Sequence, residues 1–105
     1  MRLQDENIAR EFKRRLKSEM EITDFRVFGS RADDTNDSDS DLDIYIQLRN
    51  YTKKKKYRIY EIAWEVSYEK GVVISPLVFS QAEVTTSPLR SSPILKNITR
   101  SGIVI

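Results

Sequence analysis

Val27-Phe28-Gly29-Ser30-Arg31-Ala32, the wholly polar run 33–40, and then Asp41-Leu42-Asp43-Ile44-Tyr45-Ile46-Gln47-Leu48 form the stretch on which the fold turns. Its second half alternates without a break. Leu42, Ile44, Ile46 and Leu48 fall on one face, and Asp41, Asp43, Tyr45 and Gln47 on the other, which is the period-2 signature of a half-buried strand. Its first half, residues 24–28, alternates as well and stops at Gly29-Ser30, a strand running into a turn. Two strands separated by a polar loop therefore sit in the middle of the chain.

Helical patterns flank them. Ile8, Phe12 and Leu16 recur every four residues, with Ala9 and Met20 near the same stripe and Arg10, Lys13, Arg14, Arg15 and Lys17 opposite, so residues 3–20 read as a helix. Residues 52–69 read as a second, with Ile59, Ala63 and Val66 inward, Tyr60, Trp64 and Tyr68 close by, and Gly71 as its stop. Val72 to Phe79, β-branched and aromatic, is a third strand. Ser80-Gln81-Ala82-Glu83 has the form of a capping box. Ser92-Pro93 opens a last helix that Gly102 closes, and residues 103–105 suit a short edge strand. The order α-β-β-α-β-α predicts an α+β fold, a small mixed sheet packed against helices, in a single domain spanning residues 1–105.

Composition narrows the chemistry. The chain has no cysteine and no histidine. Thiol and imidazole catalysis are therefore out, and any metal must be held by oxygen, which favours Mg²⁺, Mn²⁺ or Ca²⁺. Hydrophobic residues are 39% of the chain and charged residues 32%, an ordinary balance for a folded protein. Nothing is apolar enough to span a bilayer, and Met1 to Glu6 lacks the apolar core of a signal peptide, so no membrane role and a cytoplasmic location are expected. The net charge of +2 hides a pattern. Asp33, Asp34, Asp37, Asp39, Asp41 and Asp43 crowd one loop and strand start; Arg49, Lys53 to Lys56 and Arg58 follow with no acid between them. After Glu83 come only Arg90, Lys96 and Arg100.

Asp41 and Asp43, two apart on a strand, project from one face roughly 7 Å apart along the backbone. Converging carboxylates repel, and a bound cation relieves them. A glycine at a strand end lets the backbone turn tightly and offer N–H groups to an anion, and Ser30 adds a hydroxyl donor. Arg31 follows as a candidate phosphate contact. A phosphate-friendly turn ending one strand and a carboxylate pair opening the next make a site for a metal-bound nucleoside triphosphate.

Gly29-Ser30, ten residues, then Asp41-Leu42-Asp43, with apolar residues on both sides, resembles the signature of the DNA polymerase β-like nucleotidyltransferase superfamily. Ser38-Asp39-Ser40-Asp41-Leu42-Asp43 looks like its common Ser-Asp-x-Asp form, and the chain length and element order resemble the minimal nucleotidyltransferase branch. The resemblance implies that Gly29 and Ser30 hold the β- and γ-phosphates. It implies too that Asp41 and Asp43 are catalytic and bind one or two Mg²⁺ ions, for transfer of a nucleoside monophosphate, AMP if the donor is ATP. In that branch the partner is often a small helical protein of the HEPN type (higher eukaryotes and prokaryotes nucleotide-binding). The pair forms a toxin–antitoxin module in which the nucleotidyltransferase, as antitoxin, adenylylates a tyrosine of the partner. The basic stretch Lys53 to Arg58 and the aromatics Tyr57, Tyr60, Trp64 and Tyr68 are candidates for part of that interface.

One element of the pattern is missing. A third carboxylate is expected on the strand after the second helix, and Gly71 to Phe79 contains no acid; Ser75 stands about where the aspartate belongs. Asp39, Glu61 and Glu65 are the nearest substitutes. The gap leaves a second reading, a nucleotide-binding chain that neutralises its partner by contact alone. Two further readings fail on the residues. Asp37-x-Asp39-x-Asp41 copies the start of an EF-hand but has leucine where the loop needs glycine and glutamate, at Leu42 and Leu48. The lysine run suits a nucleic-acid backbone, yet the aspartate cluster would repel it and no stacking motif appears, so a nucleic-acid partner is not expected.

Overall fold

A computed structural model describes residues 1–105. The elements follow in the order α1 (Leu3–Lys17), β1 (Ile22–Phe28), β2 (Leu42–Leu48), α2 (Lys53–Lys70), β3 (Ile74–Ser80), α3 (Gln81–Thr86), a 3-10 turn (Pro88–Ser91), α4 (Pro93–Ser101) and β4 (Ile103–Val104). The four strands form one mixed sheet in the order β3-β2-β1-β4. β1 and β2 are antiparallel, as are β1 and β4, whereas β3 runs parallel to β2. Parallel neighbours need a crossover, and α2 supplies it. The α+β architecture read from the sequence is the one observed.

One face of the sheet makes the main core. Leu42, Ile44, Ile46 and Leu48 pack there with Phe25 and Val27 of β1, under Ile8, Phe12 and Leu16 of α1 and Ile59, Ile62 and Val66 of α2. Helix α1 ends at Lys17, not at Met20, but Met20 is still buried because the chain turns back there, its N–H and that of Glu19 donating to the Leu16 carbonyl. Helix α2 starts at the Thr52 cap and ends at Gly71, whose φ of 73° is left-handed, as a glycine stop requires. β1 begins two residues earlier than its alternation shows, since its pairing with β2 shifts register between Ile22 and Asp24. The opposite face carries a smaller cluster, where Leu95 and Ile98 of α4 cover Tyr45. No helix is long and apolar enough to cross a membrane.

β3 is an edge strand whose free side offers almost no donors. Leu42 N–H donates to the Val73 carbonyl, so Val73 and Ser75 point their backbone groups at β2, and Ile74, Pro76, Val78 and Ser80 point theirs outward. Ile74 N–H is taken by Ser67 Oγ of α2 at 2.9 Å, Pro76 has none, and Ser80 N–H is taken by Glu83 in the capping box that starts α3. Only Val78 keeps an outward donor along this edge.

Candidate active site

The turn after β1 is built by its glycine. Gly29 has φ +75°, and a Cβ added to it would lie 2.5 Å from Asp43 Oδ2. Glycine is thus required here twice, for the backbone conformation and for the carboxylate lying against it. Its carbonyl accepts from the N–H groups of Ala32 and Asp33, and the Ser30 carbonyl accepts from Thr35, which curls residues 30–35 into a turn. The N–H groups of Ser30 and Arg31, and the Ser30 hydroxyl, donate to no group of the protein. Successive free N–H groups in such a turn make an anion-binding concavity.

Asp41 precedes β2 and Asp43 is its second residue, on the face opposite the main core. Neither carboxylate takes part in an ion pair, and neither accepts a hydrogen bond from a side chain. Partial burial pushes the Asp43 carboxyl above its ordinary value, and the neighbouring charge of Asp41 adds to the shift. Two uncompensated carboxylates beside free N–H donors are a donor set for a hard divalent cation and its phosphate ligand. The residues present therefore fit one magnesium-like ion.

Ser75 is the residue of β3 in register with Asp43, so the two side chains leave the same face on neighbouring strands, about 4.8 Å apart in backbone spacing. This is the place where a third carboxylate would stand. None of the suggested substitutes reaches it. Asp39 lies in the turn before β2, not on the strand, and Glu61 and Glu65 sit on α2, which packs on the other face of the sheet. Nowhere in the chain do three Asp or Glu side chains converge.

Arg31 corrects the sequence reading. Its position after the turn makes it a candidate phosphate contact, but the side chain points inward and is 5% exposed. Nη1 donates to Asp5 Oδ1 at 2.9 Å and Nε to the Ser40 carbonyl at 2.8 Å. Asp5, in the first turn of α1, is 1% exposed. A buried guanidinium needs a partner more than it needs solvent, and this one clamps the aspartate loop, just ahead of Asp41, onto α1. Only the backbone N–H of Arg31 remains for a ligand. Asp5 is the residue that sequence reasoning missed; an acid in a helix's first turn carries no local sign of burial.

The aromatics of α2 do not enter the core. Tyr57 and Tyr60 are exposed, and Trp64 and Tyr68 stack on each other at 5.7 Å between ring centroids while 69% and 80% exposed. They line the surface beside Val73, another exposed apolar residue.

The family model for the nucleotidyltransferase domain matches residues 6–104. No curated protein matches the sequence. The match spans the turn at Gly29, the Asp41/Asp43 pair and all four strands, and on it the chain belongs to the nucleotidyltransferase domain family, within the polymerase β-like superfamily.

Proposed function

We propose that this nucleotidyltransferase domain transfers AMP from ATP to a hydroxyl of a partner protein, acting in the cytoplasm as the antitoxin of a two-protein module whose other member is a small helical protein of the HEPN type. The observation that carries the reading is the apposition of Gly29 and Asp43, which brings free N–H donors and an unpaired carboxylate pair to one place. The N–H groups of Ser30 and Arg31 and the Ser30 hydroxyl hold phosphate oxygens. Asp41 and Asp43 would hold Mg²⁺, which when bound supplies charge neutralisation along the triphosphate. The transfer needs mainly positioning and electrostatics. The acceptor oxygen bonds to the α-phosphorus as the α–β bridging bond breaks, pyrophosphate leaves, and the hydroxyl proton passes to solvent. Trp64, Tyr68 and the basic start of α2 supply part of the surface on which the partner sits.

A second reading has its own observation. Ser75 opposite Asp43 gives no charge for an ion that would activate the acceptor hydroxyl. On that reading the chain binds nucleotide and neutralises its partner by contact. The test is the intact mass of the adjacent gene's product after incubation with this chain and Mg²⁺-ATP, beside an Asp41→Ala/Asp43→Ala control. A gain of one or more AMP units that the control lacks supports transfer. A stable complex with no gain in mass supports contact alone.

A further inference from the structure

The bases that follow Glu83 are scattered in the chain but meet in space. Arg90, Lys96 and Arg100 line one cavity of about 460 Å³ with Tyr45, Gln47 and Leu95. The cavity lies between α4 and the sheet, on the same face as Asp43. None of the three cations is in an ion pair; Arg100 donates only to Asn97, and Arg90 and Lys96 donate side-chain hydrogen bonds to nothing. The one acid in the lining, Asp24, is held by Arg26 at 3.0 Å. The floor is uncharged: the Tyr45 hydroxyl donates to Gln47 Oε1 at 2.9 Å. The volume is that of a small ligand site, and its balance is three unanswered positive charges.

Its place relative to the carboxylate pair gives it a use. Tyr45 and Gln47 follow Asp43 on one face of β2, so the cavity begins roughly 7 Å and reaches roughly 13 Å from Asp43 along the strand. An extended polypeptide whose reactive hydroxyl lies at Asp43 places the side chains two to four residues away over the same span. We infer that this cavity is an acceptor subsite, taking acidic side chains two to four residues from the hydroxyl that is modified. The inference rests on the transfer reading for its acceptor but not for its chemistry, which is recognition of carboxylates by Arg and Lys. A polypeptide fits better than a nucleic acid. A continuous phosphate backbone crossing to the cavity would run against Asp41, Asp43 and the aspartate loop, whereas a peptide can confine its charge to the cavity.

The test is fluorescence anisotropy at low salt, without ATP or metal, on the full chain. The probes are two labelled peptides, Ala-Tyr-Ala-Glu-Glu-Glu-Ala and the same peptide with glutamine for glutamate. The glutamate peptide is expected to bind at least tenfold more tightly, and Arg90→Gln/Lys96→Gln/Arg100→Gln to remove that difference with an unchanged thermal melt. Equal binding of the two peptides, or no binding of either to the folded chain, overturns the inference. So does loss of metal-free ATP or oligouridylate binding in the triple variant without loss of peptide binding, which would give the cavity to phosphates. If the glutamate peptide binds through the three bases while no AMP transfer occurs in the mass assay, the transfer reading fails and the subsite stands as a partner contact.

Discussion

Replacing Asp43 by Asn should make the metal-free protein more stable and the nucleotide-bound protein less so. Asparagine keeps the shape that packs against Gly29 and removes the charge. Two unit charges about 7 Å apart repel by about 0.6 kcal/mol in water and about 2.4 kcal/mol at an effective dielectric constant near 20. Asp41 is exposed, so the lower figure governs, and a gain of about 0.5–1 kcal/mol is expected in EDTA at neutral pH. For a domain of this size that is a rise of about 2–6 °C in Tm. The pH dependence has a definite sign. Because the folded chain holds the Asp43 proton more tightly than the unfolded chain, wild-type stability falls as pH rises from the ordinary 3.8 through the raised value. The advantage of Asp43→Asn should therefore be absent below pH 3.8, grow through that window and level off above it. With Mg²⁺-ATP at about a hundred times its Kd the wild type gains about 2.7 kcal/mol, and the variant should lose most of that gain. Thermal melts in EDTA and in Mg²⁺-ATP, across pH, give all four quantities. A variant less stable than wild type in EDTA, or an advantage that does not vary with pH, would refute the view of the pair as uncompensated charge.

Gly29→Ala should cost stability and nucleotide binding together, since the left-handed φ adds about 1–2 kcal/mol and the new methyl group strikes the Asp43 carboxylate; equilibrium unfolding beside a nucleotide titration reads both. Asp5→Ala should destabilise by about 3–5 kcal/mol in urea by leaving Arg31 buried and unpaired, while Asp5→Leu/Arg31→Met should cost less than the two single changes added together. Ser75→Asp should lower stability in EDTA and tighten Mg²⁺ binding by calorimetry, because the new carboxylate would stand in register with Asp43. Trp64→Ala/Tyr68→Ala should leave the urea midpoint almost unmoved, within about 0.5 kcal/mol per site, as both side chains face solvent.

The parts of the fold legible in the sequence are those governed by local period. β2 shows itself because each alternate residue is forced to one face, and that parity alone puts Asp43 on the side away from the main core. The family resemblance marks Ser75 as the place of a missing acid, but its register with Asp43 depends on a parallel pairing that no local pattern encodes. The inward turn of Arg31 was not legible for the same reason. Its partner Asp5 lies twenty-six residues away on another element, and nothing near either residue distinguishes a clamp from a ligand. Tyr45 on the polar face reads as solvent-facing until α4 is in place, since Leu95 and Ile98 announce an apolar stripe without saying which face they cover. The aromatics of α2 follow the buried stripe closely in spacing, so only the packed helix shows that they stand beside it, exposed.

The scarcity of donors along β3 has a meaning beyond keeping copies of the chain from stacking. Ser67 Oγ, which takes the Ile74 N–H, itself donates to the Ala63 carbonyl, so one hydroxyl joins the C-terminal half of α2 to the start of the strand carrying Ser75. The bond that denies an incoming strand its first foothold also ties β3 to α2, the helix that crosses over to it. Guarding the border of the sheet and fastening the crossover helix to its strand are here a single task. A neighbour that recognises this side of the molecule meets one free N–H donor, that of Val78, and a change at Ser67 would free a second, that of Ile74.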